Sequence, residues 1–220
     1  MRFVNKKINK ILNFIFISLF YADNRKIEGV FMQEFESSCC FTGYRPEKFD
    51  FPFDENFEEY RVFMSRLATS VADMIEKGCT TFYTGMAMGF DIIAAEHVAL
   101  VKKLNRNIRL IAVIPFAGQE KKWNAVWQSR YHEVLSQCDE TVILSQSYTR
   151  GAYETRNRDM VDRSRYCITY YDGKQGGTGN TVRYALQHGR TVLNIFNTDP
   201  VAEKNSHYKP QLRLIPPDSI

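Results

Sequence analysis

The sequence predicts a Rossmann-like, doubly wound α/β fold with a mostly parallel six-stranded sheet and helices on both faces. Short apolar runs alternate with longer stretches in which hydrophobic residues recur every three to four positions, as strands alternating with helices do. The short runs are apolar at successive positions, which is typical of parallel strands buried on both faces. The 220 residues are 44% hydrophobic and 25% charged, and this composition is that of a folded globular protein.

The first predicted strand, Cys39–Thr42, is closed by Gly43. A long helix follows from about Asp54 to Lys77, and Gly78 ends it. Five more strands are expected at Thr80–Tyr83, Ile108–Ile114, Thr141–Leu144, Cys167–Tyr171 and Thr191–Phe196. Four more helices are expected at Asp91–Leu104, Glu120–Cys138, Glu154–Ser164 and Thr178–His188. The domain is therefore expected to span residues 32–196, followed by an irregular tail at 197–220 without periodicity.

Residues 1–31 differ from the rest of the chain in charge. They hold six Lys and Arg against two Asp and Glu, which leaves 23 against 23 from Met32 onward. The codons for Glu28 to Val30 can spell a purine-rich ribosome-binding sequence ahead of Met32, which favours a misassigned translation start and hence a non-native extension. A membrane-associated leader is the alternative, because an apolar run follows the lysine-rich start.

The charge balance after residue 31 gives no general basic field, so nucleic-acid and membrane partners are not favoured. The five cysteines show no metal-ligand or C-x-x-C spacing, and the four histidines show no ligand spacing either. We therefore expect reduced, mostly buried thiols in a cytoplasmic protein, with no metal and no cofactor.

The turn after the first strand contains Gly43 and Arg45. Glycine allows close backbone approach, and the planar guanidinium can bind a phosphate or carboxylate. A turn glycine followed by a solvated arginine would give the same pattern, so both interpretations stay open at this point.

The turn after the second strand runs from Thr84 to Asp91 and includes Gly85, Ala87 and Gly89. A strand, a glycine-containing turn and a helix N-terminus place free backbone N–H groups together, which suits a phosphate. The turn matches neither G-x-G-x-x-G nor a P-loop. Asp91 has two interpretations, an N-cap of the helix or a contact to a ribose hydroxyl.

Two further segments reach the same edge of the sheet. Pro115 closes the third strand, and Trp123 lies early in a helix whose aromatic stripe is typical of a core or a subunit interface. Trp123 is the member of that stripe placed to stack on a base. Arg156 and Asn157 in the fourth helix could face the strand ends, with a charged solvent face as the alternative.

The turn after the fifth strand is a second glycine-rich connection from strand to helix. Its candidate ligand-binding residues are Asp172, Gly173, Gly176, Gly177 and Thr178. A pair of such turns at the carboxyl edge of one sheet can hold a diphosphate or a nucleotide.

Together these segments resemble the YpsA-like branch of the SLOG superfamily, which also contains the DNA-processing protein DprA and the LOG phosphoribohydrolases. The resemblance covers about residues 38–196 and implies a Rossmann-like domain that binds nucleotides or nucleotide-derived ligands. It rests on five motifs in order, Phe-Thr-Gly-Tyr-Arg-Pro (41–46), Thr-Gly-Met-Ala-Met-Gly-Phe-Asp (84–91), Pro-Phe-x-x-Gln-x-x-x-Trp (115–123), Arg-Asn-x-x-Met-Val-Asp (156–162) and Tyr-Asp-Gly-x-x-Gly-Gly-Thr (171–178).

The chain departs from the LOG enzymes at a position that matters for catalysis. Those enzymes carry acidic residues after their glycine motif, whereas Val182 and Arg183 stand at the matching positions here. The carboxylate that glycosidic cleavage would need is therefore missing.

Three functions are compatible with these residues. The leading one is a cytoplasmic binding or sensing module for a nucleotide-derived ligand, ADP-ribose-like or a signalling nucleotide, with a protein partner or a homodimer. The second is a hydrolase of an N-glycosidic or phosphate bond, using Asp91, Asp172 or Glu154 and at most Mg²⁺. The third is DprA-like binding of single-stranded DNA, which the absence of a basic run interleaved with aromatic residues disfavours.

Overall fold

A computed structural model describes residues 32–196 and the backbone of residues 213–214. The chain divides after Glu36, and residues 32–36, which are helical, belong to the part before that boundary. The predictions for residues 1–31, and those for the tail apart from residues 213–214, lie outside the described residues.

The alternation of strands and helices is confirmed from Ser38 onward. The parallel strands are β1 (Ser38–Gly43), β2 (Thr81–Thr84), β3 (Arg109–Ile114), β4 (Glu140–Ile143), β5 (Tyr166–Tyr170) and β6 (Thr191–Asn194). The helices are α1 (Glu58–Glu76), α2 (Phe90–Leu104), α3 (Ala125–Leu135), α4 (Ala152–Asp162) and α5 (Gly177–Gln187), and a 3-10 turn spans Pro46–Lys48.

The structure adds a strand that the sequence did not predict, β7 (Arg213–Leu214), which pairs antiparallel with β6. Two residues are too few to show a strand periodicity, so this pairing left no signal in the sequence.

The sheet order is β4-β3-β2-β1-β5-β6-β7. Parallel crossovers are right-handed as a rule, so this strand order puts α1, α2 and α3 on one face and α4 and α5 on the other, as in a doubly wound fold. After β4 the chain returns to the far side of β1, so the direction of strand addition reverses between β1 and β5. In open α/β sheets this reversal opens a crevice at the carboxyl ends of the two strands, and ligands bind there.

The centre of the core is β1 with its aromatic neighbours. Phe41 is fully buried and its ring lies 6.0 Å from that of Phe82 and 6.2 Å from that of Phe90. The cysteines follow the prediction, since four of the five are buried and all are free thiols. Burial raises the pKa of the Cys79 thiol to about 12, which keeps it protonated and unreactive.

Two helices begin later than the sequence predicted. Helix α1 begins at Glu58 and not at Asp54, because the Asp54 carboxylate accepts a hydrogen bond from the backbone N–H of Asn56 and holds a turn. Helix α3 begins at Ala125 and not at Glu120, because the Asn124 side chain caps it. Among the helices of residues 32–196, none is long and apolar enough to cross a membrane.

Candidate functional site

The crevice between β1 and β5 is surrounded by three connections, which we call loop 1 (residues 43–48), loop 2 (residues 85–89) and loop 5 (residues 171–176). Each follows the carboxyl end of a strand, β1, β2 and β5 respectively. The sequence predicted that these three segments share one edge of the sheet, and the strand order brings them together there.

Loops 1 and 2 touch through backbone that only glycine permits. Gly89 has φ +91°, and a Cβ on it would lie 2.4 Å from the Tyr44 carbonyl oxygen. That oxygen accepts a hydrogen bond of 3.0 Å from the Phe90 backbone N–H. A Cβ on Gly43 would lie 2.4 Å from the Phe90 ring. Both glycines therefore let chain segments pack closely, and their contact with a ligand stays a prediction.

Loop 2 is held from inside the protein. The Thr84 hydroxyl donates to the Asp91 carbonyl oxygen at 3.0 Å and accepts from the Met86 backbone N–H at 3.1 Å. Gln119 donates its side-chain amide to the Met86 carbonyl oxygen at 3.2 Å. Met86 is in the left-handed region with φ +53°, which is uncommon for a residue other than glycine and clusters at functional sites. Thr84 therefore stabilises the conformation of loop 2, a role that its position in the sequence did not indicate.

Behind loop 2 lies a buried ion pair between Asp91 and Arg156. Their side chains are 6% and 4% exposed, and the Asp91 Oδ2 to Arg156 Nη1 distance is 3.7 Å. The guanidinium also donates to the Gly85 carbonyl oxygen. Burial raises the pKa of the Asp91 carboxyl, and the charges of Arg156 and Arg45 oppose this rise.

This pair corrects two alternatives from the sequence. Asp91 is not the N-cap, because Gly89 holds that position and Asp91 lies in the first helical turn. Arg156 does not belong to a charged solvent face, because it turns inward to Asp91 and to Gly85. A Cβ on Gly85 would lie 1.8 Å from Arg156 Nη1, which explains why glycine is needed there.

A chain of hydrogen bonds continues from this pair to α5. Arg156 Nε donates to Asn157 Oδ1 at 2.7 Å, and Asn157 Nδ2 donates to Thr181 Oγ1 at 2.8 Å. The Thr181 hydroxyl then donates to the Gly177 carbonyl oxygen at 3.0 Å. The two glycine-containing turns are therefore connected through polar side chains of α4.

Loop 5 is tied to loop 1 by Asp172. Its carboxylate accepts from the Tyr44 hydroxyl, and that hydroxyl accepts from the Asp172 backbone N–H at 3.1 Å. Lys174 Nζ lies 2.7 Å from the carboxylate. Burial alone would raise the pKa of Asp172, but the bonds from Lys174 and Tyr44 outweigh it and lower the pKa to about 2. Asp172 is therefore ionised at neutral pH and acts as an acceptor.

We expect Tyr44→Phe to remove about 1.5–3 kcal/mol from the free energy of unfolding at neutral pH, as loss of a hydrogen bond to a charged group does. The lowered pKa of Asp172 gives stability that is present above its ordinary value of 3.8 and is lost as the pH falls toward about 2. The difference between variant and wild type should shrink over that interval. Urea unfolding at a series of pH values measures it. Tyr148→Phe, at an exposed tyrosine, is the control, and an equal loss at every pH would contradict the prediction.

The N-terminus of α5 is open toward the crevice. Gly176 is its N-cap, and Gly173 and Gly177 have free space where a Cβ would lie. The Thr178 hydroxyl donates to the Gly43 carbonyl oxygen at 3.0 Å, which joins α5 to loop 1. Lys48 Nζ lies 3.4 Å from where a Cβ on Gly176 would be. Lys48 thus adds a cation that was not among the predicted ligand-binding residues.

From this helix end a cavity of about 460 Å³ extends between α4 and α5. Its lining includes Tyr153, Asn157, Gly177 and Thr181. Tyr153 also faces Arg45, whose guanidinium carbon lies 5.5 Å from the centre of the tyrosine ring. The cavity therefore joins the residues of the crevice to a groove on the α4 and α5 face of the sheet.

Three predicted residues remain. Trp123 precedes α3 and is partly buried against the core, where its ring packs edge-on against Tyr131 at 5.5 Å. Pro115 is buried directly after β3, and Ala87 is buried in loop 2. Their contact with a ligand stays a prediction.

Comparison with known proteins finds a matching family and related proteins in bacteria. The family described as the YspA SLOG family matches residues 39–196. The SPbeta prophage-derived protein YoqJ of Bacillus subtilis is 30% identical over 116 residues, which are 47% of this chain and 68% of that protein. A UPF0398 protein of Halalkalibacterium halodurans is 24% identical over 182 residues, 81% of this chain and 87% of that protein.

Among solved structures, the DNA processing protein A from Helicobacter pylori matches with a TM-score of 0.49 and 16% identity, covering 74% of this chain and 66% of that chain. The family match extends from β1 to the residues that follow β6 and contains all three loops of the crevice. The chain belongs to the YspA SLOG family, the YpsA-like branch of the SLOG superfamily.

Proposed function

We propose that the protein is a binding or sensing module for a nucleotide-derived ligand, ADP-ribose-like or a signalling nucleotide, and that it passes the bound state to a protein partner. One observation carries the proposal. Loop 1, with its cation Arg45, and the open N-terminus of α5 meet where the strand order reverses between β1 and β5. This is the position at which Rossmann-like sheets bind nucleotides.

The phosphate end of the ligand is expected at the start of α5. No acidic residue lies in the first turn of this helix and no side chain of the described residues caps it, so the backbone N–H groups of Gly177 and Thr178 and the positive dipole end suit an anion. Lys48 adds a positive charge near Gly176, and Arg45 adds another that faces Tyr153, a residue of the same cavity as Gly177. The backbone N–H groups of Gly177 and Thr178 would then hold phosphate oxygens.

In this proposal loop 2 has a supporting role. Asp91 and Arg156 are almost wholly buried, so they shape the crevice through Gly85 more readily than they contact a ribose. Asn157, which lines the cavity, transmits that arrangement to α5.

The three carboxylates that a hydrolase could use each lie close to a cationic side chain, which favours binding over hydrolysis. Asp91 faces Arg156, Asp172 contacts Lys174, and Glu154 lies 2.5 Å from Arg158. A general acid works best with a pKa near the operating pH, whereas the Asp172 pKa is about 2. Val182, at the position of an acidic residue in LOG enzymes, is fully buried.

Calorimetric titration with ADP-ribose, ADP and a short oligothymidine tests the proposal, together with chromatography of AMP after incubation. We expect binding of at least one nucleotide and no product. Release of adenine at about 1 per second, the low end of ordinary enzyme turnover, would support the hydrolase. Binding of the oligothymidine alone would support single-stranded DNA binding.

We expect Arg45→Ala to weaken nucleotide binding about ten- to a hundredfold, since a charge-assisted bond contributes about 1.5–3 kcal/mol. The melting temperature of the ligand-free protein should stay nearly unchanged, because Arg45 is only partly buried. Titration calorimetry measures the affinity. Arg106→Ala, an exposed arginine between α2 and β3, is the matched control and should bind as the wild type does. Unchanged affinity in Arg45→Ala would make Arg45 a solvated turn residue.

A further inference from the structure

Three aromatic side chains meet at the carboxyl edge of the sheet beside the crevice, and we call Phe116, Tyr148 and Tyr153 the aromatic cluster. The Phe116 ring centre lies 5.4 Å from that of Tyr148 and 5.7 Å from that of Tyr153. The two tyrosine rings are 6.4 Å apart. Tyr148 is 62% exposed, and the other two residues are partly exposed.

The cluster is assembled from three separate connections. Phe116 follows β3, Tyr148 follows β4, and Tyr153 lies in the first turn of α4. Because β3 and β4 are neighbours, their connections meet on one side of the crevice. Their spacing in the sequence gives no sign of this contact.

Tyr153 connects the aromatic cluster to the phosphate end of the crevice. It contacts Phe116, it faces the Arg45 guanidinium at 5.5 Å, and it lines the same cavity as Gly177. Tyr153 is therefore the residue that the aromatic cluster shares with the cavity at the start of α5.

The exposure of the cluster distinguishes it from core packing. The core aromatics of the sheet, such as Phe41 and Phe82, are fully buried, whereas Tyr148 keeps most of its surface open to solvent. The Phe116 and Tyr148 rings are nearly perpendicular, at 79°, so a planar base can stack on one of them, and Tyr148 is the more exposed. Trp123, for which the sequence predicted stacking on a base, packs edge-on against Tyr131, and its contact with a ligand stays a prediction.

We propose, resting on the nucleotide-binding function above, that the aromatic cluster binds the heterocyclic base of the ligand by stacking. The ligand is then a nucleotide held at both ends, with its base on the Tyr148 ring and its phosphates at α5. Stacking tolerates different bases, so adenine and guanine nucleotides should both gain from the cluster.

Titration calorimetry with ADP, GDP and inorganic pyrophosphate on the full chain tests this assignment. We expect Tyr148→Ala to weaken ADP and GDP binding about five- to a hundredfold, the equivalent of one stacked base, and to leave pyrophosphate binding unchanged. Tyr148→Phe keeps the ring and should bind all three probes as the wild type does.

The outcomes separate the two proposals. Unchanged ADP and GDP affinity in Tyr148→Ala, with wild-type binding intact, overturns the base site and leaves the binding function standing. An equal loss for pyrophosphate and ADP, or a lower melting temperature without ligand, also overturns it by showing a structural role. Failure of the wild type to bind any of the three probes counts against both proposals.

Discussion

Arg156→Ala should lower the free energy of unfolding by about 3–5 kcal/mol, because removing one partner leaves the other charge buried without compensation. The Asp91 carboxylate that remains is only 6% exposed in the wild-type protein. The change would also take a donor from the Gly85 carbonyl oxygen and from Asn157. Urea unfolding followed by far-ultraviolet circular dichroism measures the loss.

Two variants give this measurement its controls. Arg158→Ala breaks the exposed pair with Glu154, whose side chains are 55% and 58% exposed, and should cost less than about 1 kcal/mol. The double variant Asp91→Asn, Arg156→Met removes both charges and should be more stable than Arg156→Ala alone. A loss in Arg156→Ala no larger than that in Arg158→Ala would contradict the importance of the buried pair.

Gly89→Ala should cost roughly 3–5 kcal/mol, from backbone strain together with overpacking. The residue has φ +91°, and its new Cβ would meet a backbone oxygen at 2.4 Å, which cannot move aside as a flexible side chain can. The variant should separate loop 1 from loop 2 and lose ligand binding as well. Thermal unfolding, with titration of ADP at a temperature where the variant is folded, measures both effects.

Gly151→Ala is the matched control for this variant. Gly151 has a similar φ of +87° but a ψ of −1°, in the left-handed region, whereas Gly89 has a ψ of −126°, so Gly151→Ala carries less backbone strain. In addition, nothing lies within 4 Å of the Gly151 Cβ position. It should cost about 1 kcal/mol, the price of the left-handed conformation alone. Equal losses in the two variants would show that the approach of Gly89 to Tyr44 contributes nothing.

The fold could be predicted from the sequence because its signals are local. The apolar run at Cys39–Thr42 and the hydrophobic spacing before Gly78 each lie within one element, and both elements are present. The predicted helix boundaries were less accurate. The start of α3, for example, is set by one hydrogen bond that the Asn124 side chain accepts from the Trp127 backbone N–H. Whether such a capping bond forms depends on the geometry of the preceding turn, which composition does not specify.

The site was predictable at the level of loops and not at the level of contacts. Gly89, Asp91, Arg156 and Asp172 were all selected, but the bond from Tyr44 to Asp172 joins residues 128 positions apart. Arg156 reaches Gly85 across 71 positions. Such pairs depend on which strands become neighbours, and the order of a parallel sheet cannot be read from the local pattern of any one segment. The places of Lys48 and of the aromatic cluster at the site could not be predicted from the sequence for the same reason.

The place of Gly85 against the Arg156 guanidinium has a consequence for how this family can diverge. Glycine is required at residue 85 because the guanidinium occupies the space of a Cβ, and the backbone of Gly85 has an ordinary φ. A lineage that replaced Arg156 by a smaller side chain would free residue 85 to change, whereas any side chain at residue 85 would expel the arginine. In an alignment of relatives, residues 85 and 156 are therefore expected to covary, although 71 positions separate them.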